Sequence, residues 1–103
     1  MRLRRARLGE LIRRQLELFA EDEADLLREA EEAERRYDET DRDAAEEAYG
    51  DYQLVLEAVA EQLCELRDTY AATLDEDAAD AYAQAFVRAA RKRFPRAAAS
   101  LRE

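Results

Sequence analysis

The sequence predicts an all-α fold, and three observations support that prediction. Apolar residues recur three or four positions apart along nearly the whole chain, which is the period of one helix face. Glycine occurs twice and proline once, so turn formers for a β-sheet protein are scarce. The composition is dominated by strong helix formers such as alanine, leucine, glutamate and arginine. At 103 residues, the chain is predicted to form a single domain, 1–103.

The first predicted helix covers about residues 2–37. Its apolar residues lie mostly three or four positions apart over 8–37. The following segment, 38–43, contains no large apolar residue and is rich in Asp and Thr, which favour caps and turns. We therefore predict a helix-to-helix turn there, with Thr40 and Asp43 at the spacing of a capping box.

A second helix is predicted over about 41–72 and a third over about 75–94. Pro95 disfavours helical geometry in the residue before it, so the tail 95–103 is predicted to fray. Gly50 leaves two interpretations of the second helix open. It either stops that helix or marks a close helix crossing that leaves no room for a side chain.

The predicted helix lengths indicate an architecture. Helices of roughly 35 residues are about 50 Å long at 1.5 Å per residue, and the third helix reaches about half that length. We expect a long antiparallel hairpin with the third helix near its open end, that is, a three-helix bundle with a projecting coiled-coil arm. Large apolar side chains are scarce, so an isolated copy is expected to be marginally stable and to dimerise.

The net charge of −9 is unevenly distributed along the chain. Residues 1–14 contain six arginines and one glutamate, and residues 88–103 contain six cations and one glutamate, so both ends are basic and the middle is strongly acidic. The negative net charge of the whole chain argues against general nucleic-acid binding. If the two ends meet at the base of the bundle, their cations form a basic patch. The predicted members of this patch are Arg4, Arg5, Arg7, Arg91, Lys92 and Arg93.

The types of residue present argue against catalysis. The chain has no histidine, so histidine-based triads, histidine general bases and most zinc sites are absent. Carboxylates are abundant, but they fall on charged helix faces, whereas acid and base catalysis needs desolvated groups in a concave site. We therefore expect no enzymatic activity, no bound metal and no cofactor.

The predicted location is the cytoplasm. No run of about 18 apolar residues is present to span a membrane. The basic N-terminal segment lacks the apolar core and cleavage site of a secretory signal. The single cysteine, Cys64, has no partner for an internal disulfide and is expected to be a buried thiol.

One short segment resembles a known docking peptide. Gln15-Leu16-Glu17-Leu18-Phe19 is similar to the QLxLF peptide by which bacterial proteins dock on the DNA-polymerase sliding clamp. The resemblance implies a peptide that binds in an extended conformation from a flexible segment. The helical spacing instead predicts that Leu16 and Phe19 pack in the core.

The predicted turn resembles the tip of another class of proteins. With Asp38 and Asp41, segment 38–43 is similar to the acidic hairpin tip of the Gre and DksA type of transcription factor, which enters the RNA-polymerase secondary channel. The resemblance implies that both aspartates reach toward the polymerase active centre and its magnesium. The chain departs from the DksA-type pattern at Asp43, where that family has alanine, and it lacks that family's zinc-binding cysteine cluster.

The sequence therefore predicts a non-catalytic helical interaction or scaffold module whose partner is another protein or a second copy. We expect a homodimer in which exposed stripe residues of the arm meet their symmetry mates. These residues are Leu27, Tyr37, Tyr49 and Tyr52. The alternative is a transcription or replication regulator that acts through the clamp-like peptide or through the acidic tip. The acidic tip comprises Asp38, Asp41 and Asp43.

Overall fold

The chain folds into four α-helices and a short C-terminal 3-10 helix. The computed structural model describes the backbone of residues 2–102 and the side chains of residues 6–102. The helices are α1 (Arg2–Asp22), α2 (Ala24–Glu39), α3 (Ala45–Ala71), α4 (Glu76–Arg93) and the 3-10 helix (Ala97–Ser100). No strand occurs in residues 2–102, and the predicted all-α class is confirmed. The molecule is elongated, with extents of 54 × 22 × 20 Å.

A bend at Glu23 divides the first predicted helix, so the prediction of one uninterrupted helix over 2–37 was wrong at that residue. The backbone of Glu23 has φ −106° and ψ 27°, outside the α-helical region. Hydrogen bonding continues across the bend, because the Glu23 N–H donates to the Phe19 carbonyl at 2.8 Å and the Leu27 N–H donates to the Glu23 carbonyl at 2.9 Å. Glu23 occupies a position of the apolar stripe but carries a carboxylate. Beyond the bend, Leu26 and Leu27 again pack against the core.

The turn between α2 and α3 lies where the sequence predicts one, but its side-chain hydrogen bonds differ from the predicted ones. The Thr40 hydroxyl donates to the Arg36 carbonyl at the end of α2. At the start of α3, the Asp41 Oδ1 atom accepts a hydrogen bond from the Ala44 N–H at 3.2 Å. The predicted capping box between Thr40 and Asp43 was therefore wrong, because Thr40 acts on the preceding helix and Asp41 acts on the following one.

Helix α3 continues through Gly50, so the interpretation of Gly50 as a helix stop was wrong. A Cβ atom placed on Gly50 would meet no other atom within 4 Å, so no close helix crossing requires a glycine there either. The helix runs from Ala45 to Ala71, within the predicted span of 41–72. Gly50 therefore lies on an exposed helix face, where it lowers helix stability relative to alanine.

Helix α4 begins with a side-chain cap and ends just before the proline. The Asp75 side chain accepts a hydrogen bond from the Ala78 N–H at 2.8 Å, satisfying one of the free donors of the first turn. The last residue of the helix is Arg93, and Pro95 follows two positions later. These bounds lie within the predicted span of 75–94.

The predicted fraying of the tail 95–103 was wrong for the part that the structure describes. Ala97, Ala98 and Leu101 are buried, because the 3-10 helix packs against both α3 and α4. Two arginine side chains hold the end of the tail. Arg91 donates to the Leu101 carbonyl, and the Arg67 Nη1 atom donates to the Arg102 carbonyl at 3.0 Å.

The hydrophobic core lies where α1, α3, α4 and the tail meet. Its largest fully buried side chains are Tyr82, Phe86, Ile12, Leu63, Val59 and Val87. No charged or polar residue is buried among the side chains of 6–102. None of the described helices is sufficiently long and apolar to span a membrane.

Tyr82 connects the three helices that surround this core. Its ring lies 4.8 Å from the ring of Tyr70 in α3 and 5.8 Å from that of Phe86, measured between centroids. Its hydroxyl donates to the Gln15 Oε1 atom of α1 at 2.8 Å. Burial raises the pKa of Tyr82 to about 12, because the phenolate would lose its hydration.

Replacing Gly50 by alanine should stabilise the protein. Gly50→Ala is expected to raise the free energy of unfolding by about 0.5 to 1 kcal/mol, because the new Cβ meets no atom and the unfolded chain loses freedom. Urea unfolding followed by circular dichroism measures the change. Gly9→Ala in α1 tests the same argument, since Gly9 is equally open. Glu61→Gly, at an exposed position of α3, should have the opposite sign. A loss of stability in Gly50→Ala would contradict this account.

The raised pKa of Tyr82 should make stability fall at alkaline pH. Below about pH 10, the ordinary pKa of tyrosine, the folded and the unfolded chain both keep the Tyr82 proton. Between about pH 10 and pH 12 the unfolded chain alone loses this proton, so the free energy of unfolding should decline over that range. Tyr82→Phe should reduce this decline and weaken folding by about 1 kcal/mol at neutral pH through loss of the bond to Gln15. Urea unfolding across that pH range measures both effects. An unchanged alkaline decline in Tyr82→Phe would contradict the assignment, and Tyr49→Phe, at an exposed ring, is the control.

Candidate partner-binding surfaces

The four residues predicted to form a dimer surface lie together on one side of α2 and α3. The Tyr37 ring contacts the Tyr49 ring at a centroid distance of 5.4 Å and stacks on the Tyr52 ring at 6.3 Å. Tyr52 in turn lines the same groove as Leu27. We call this surface, formed by Leu27, Tyr37, Tyr49 and Tyr52, the tyrosine strip.

The members of the tyrosine strip differ in exposure. Tyr37 is 36% exposed and Tyr49 is 48% exposed, whereas Leu27 is half-buried. The prediction that Tyr52 is exposed was wrong, since only 6% of it is accessible. Its ring packs on Tyr37, and its hydroxyl accepts a hydrogen bond from the Arg96 Nη1 atom at 3.2 Å. Tyr52 is thus covered by contacts within the chain, including one from the tail.

The groove beside the tyrosine strip has an apolar floor and charges of both signs on its rim. Leu27, Leu56 and Pro95 are among its apolar lining residues. The charged lining residues are Glu31, Glu34, Arg93 and Arg96. Arg96 forms an ion pair with Glu34. The pKa of Arg96 is raised above its ordinary value, first by the hydrogen bond with Tyr52 and then by neighbouring charges, including Glu34.

The three aspartates of the predicted acidic tip are exposed at the end of α2 and in the turn after it. They are Asp38, Asp41 and Asp43. Asp41 also holds the turn through its bond to the Ala44 N–H. The tip belongs to a longer acidic segment, because residues 21–51 contain fifteen carboxylates and four arginines. This segment therefore repels anions and attracts cationic partners.

Helices α1 and α4 run in the same direction, which decides where the two basic ends lie. Gln15 in α1 is hydrogen-bonded to Tyr82 in α4. Further along α1, the Phe19 ring meets edge-on the ring of Phe94, the residue that directly follows α4, at a centroid distance of 5.6 Å. The N-terminal part of α1 therefore lies at the opposite end of this helix pair from the C-terminal end of α4.

The predicted basic patch consequently does not form one surface. Arg7 precedes the first of these two contacts by eight residues in α1, and Lys92 follows it by ten residues in α4. At 1.5 Å per residue, the two are about 27 Å apart along the helix pair when measured from this contact and about 15 Å apart when measured from the Phe19–Phe94 contact. Three cations share the last turn of α4, namely Arg91, Lys92 and Arg93. The side chains of Arg4 and Arg5 lie outside the described residues.

The clamp-like segment lies in the middle of α1. Leu16 and Phe19 are buried in the core, and Gln15 accepts the Tyr82 hydrogen bond. Leu18 is the apolar member that faces solvent, with 56% of its surface exposed. Binding in an extended conformation, as the resemblance implies, would require α1 to give up these contacts.

A second groove, between α1 and α3, was not predicted from the sequence. Phe19 and Leu66 lie in its floor, Leu18 stands at its edge, and its rim carries Asp22, Glu23 and Glu65. No lysine or arginine is among the described residues that line it. We call this surface the acidic groove. Leu18 gives the only sequence signal for it, because it is a large apolar residue outside the buried stripe of α1.

The side chains of residues 6–102 contain no group of three or more His, Cys, Asp or Glu residues arranged to hold a metal ion. Cys64 is a free thiol in α3 and is half-buried, so it is less enclosed than predicted. Comparison of the chain with protein-family models, curated proteins and solved structures found no match.

Proposed function

We propose that this chain is a non-catalytic, cytoplasmic interaction module that forms a homodimer through the tyrosine strip. The observation that carries the proposal is the pair of exposed, adjoining rings of Tyr37 and Tyr49. Large aromatic side chains that remain exposed beside an apolar groove are typical of protein interfaces. A single cysteine without an internal partner suits a reducing compartment.

The charges around the strip favour a second copy as its partner. Glu31 and Glu34 of α2 line the groove together with Arg93 of α4 and with Arg96, which forms an ion pair with Glu34. In a twofold interface the same patch meets itself, so a patch that carries charges of both signs can be self-complementary. Rotation about a twofold axis would bring Arg93 of one copy toward Glu31 of the other.

The proposed dimer uses the arm that the sequence predicts. In this proposal, α2 and the first half of α3 form an antiparallel hairpin that projects from a bundle of α1, α3 and α4. The contact between Tyr37 and Tyr49 across the intervening turn supports the hairpin, and the long dimension of 54 Å supports a projecting arm. Two arms would then pack side by side along their tyrosine strips as a coiled coil.

Removal of the two exposed rings should dissociate the dimer. The wild-type chain is expected to show the mass of two chains by sedimentation velocity, and Tyr37→Ser/Tyr49→Ser should weaken association by about tenfold or more. Leu54→Ser is the matched control, because Leu54 is an apolar residue that is 65% exposed and lies outside the strip. The control should keep the wild-type mass. A wild-type chain that stays monomeric over the whole concentration series would contradict the proposal.

The regulator alternative rests on the exposure of the acidic tip, and a charge change at the tip separates the two functions. Asp38→Asn/Asp41→Asn removes two charges, while asparagine at position 41 can still accept the bond from the Ala44 N–H. We expect this variant to keep the wild-type mass and stability. In a transcription assay with bacterial RNA polymerase, the wild-type chain and the variant should behave alike. A wild-type effect on transcription that the variant abolishes would support the regulator instead.

A further inference from the structure

The acidic groove places exposed apolar surface between carboxylates that come from two different helices. Leu18 is more than half exposed at its edge, and Phe19 and Leu66 lie in its floor. Asp22 and Glu23 stand on the α1 side, and Glu65 stands on the α3 side. This arrangement differs from that of the tyrosine strip, whose groove carries both signs of charge.

The flanks of the core explain why this groove remains open. On the flank between α3 and α4, the tail buries Ala97, Ala98 and Leu101 against the two helices. On the flank between α1 and α3, no segment of residues 6–102 covers Leu18 in a comparable way. The described part of the chain thus fills one flank with its own C-terminal segment and leaves an apolar strip uncovered on the other.

The carboxylates of the rim favour a partner of one charge. Asp22 is the last residue of α1 and Glu23 follows it, and the last turn of this helix contains no basic residue. Asp22 and Glu23 therefore repel each other and Glu65, because no lysine or arginine is among the described residues that line the groove. A cationic partner would relieve this repulsion, whereas phosphate groups of nucleic acids or lipids would increase it.

We propose that the acidic groove binds a basic amphipathic helix from another protein. The apolar stripe of the bound helix would cover Leu18, Phe19 and Leu66, and lysines or arginines on both sides of that stripe would face the carboxylates of the rim. With this helix in place, four helices would surround the shared apolar strip, as in a helix bundle. The proposal concerns a different surface from the homodimer and does not depend on it.

A designed peptide tests the proposal directly. The probe is a fluorescent helix of about 18 residues, about 27 Å long, with leucines at helical spacing and lysines or arginines on both flanks. One control peptide has the same residues in scrambled order, and another has glutamates in place of the cations. Fluorescence anisotropy should show saturable binding of the first peptide alone, with an affinity that falls as salt is added.

Variants of the groove should weaken this binding without unfolding the protein. Leu18→Lys places a cation at the apolar edge of an exposed position, and we expect it to weaken binding by about tenfold or more. Neutralising the rim in Asp22→Asn/Glu23→Gln/Glu65→Gln should have an effect of similar size. Circular dichroism and urea unfolding should show wild-type helix content and stability for Leu18→Lys.

Matched controls separate the groove from the general negative charge of the chain. Glu32→Gln/Glu39→Gln/Asp43→Asn removes the same number of charges from exposed positions outside the groove and should leave the peptide affinity within about twofold of wild type. Equal weakening by both triple variants would overturn the proposal, because binding would then follow net charge. So would wild-type affinity in Leu18→Lys.

Light scattering distinguishes the proposed partner from a second copy of this chain. If the groove were a self-association surface, Leu18→Lys would lower the mass of the protein in the absence of peptide, and the proposal would be overturned. If the proposal holds, Leu18→Lys should keep the wild-type mass while losing the peptide. The Tyr37→Ser/Tyr49→Ser variant should keep the peptide affinity, so failure of the homodimer and failure of this inference give different results.

Discussion

The packing of Tyr82 is the interaction on which the arrangement of the helices depends. The residue is fully buried, its ring meets Tyr70 of α3, and its hydroxyl meets Gln15 of α1. A buried phenol combines a large apolar area with one hydrogen bond that must be satisfied, so it specifies both contact and orientation. With this contact and the Phe19–Phe94 contact in place, α1 and α4 run in the same direction and their basic ends lie apart.

The tail after Pro95 decides which apolar surfaces remain available. By packing against α3 and α4 it closes one flank of the core, and through Arg96 it covers Tyr52 and binds Glu34 of α2. The flank between α1 and α3 receives no such cover from the described residues. Arg96 of the tail thus gives the groove beside the tyrosine strip charges of both signs. The charged residues that line the acidic groove are carboxylates.

The candidate surfaces were only partly predictable from the sequence. Tyr37 and Tyr49 were predicted as exposed stripe residues of the arm, and the structure places them side by side and exposed. Tyr52 belongs to the same stripe, but its burial depends on Arg96, which lies 44 positions away in the chain. The acidic groove likewise depends on distant residues, because it is lined by side chains of both α1 and α3. Periodicity describes one helix at a time, so it does not show which side chains of distant helices meet.

The sequence by itself determined the helical class, the site of the turn before α3 and the end of α4 before Pro95. These features depend on local spacing and on local backbone chemistry, which a short window of residues contains. Only the tertiary structure decided the bend at Glu23, the ordered tail and the separation of the basic ends. The ordered tail and the separation of the basic ends follow from contacts between distant segments, where burial of apolar area outweighs the weak local preferences of the chain, whereas the bend lies where a carboxylate falls on the apolar stripe.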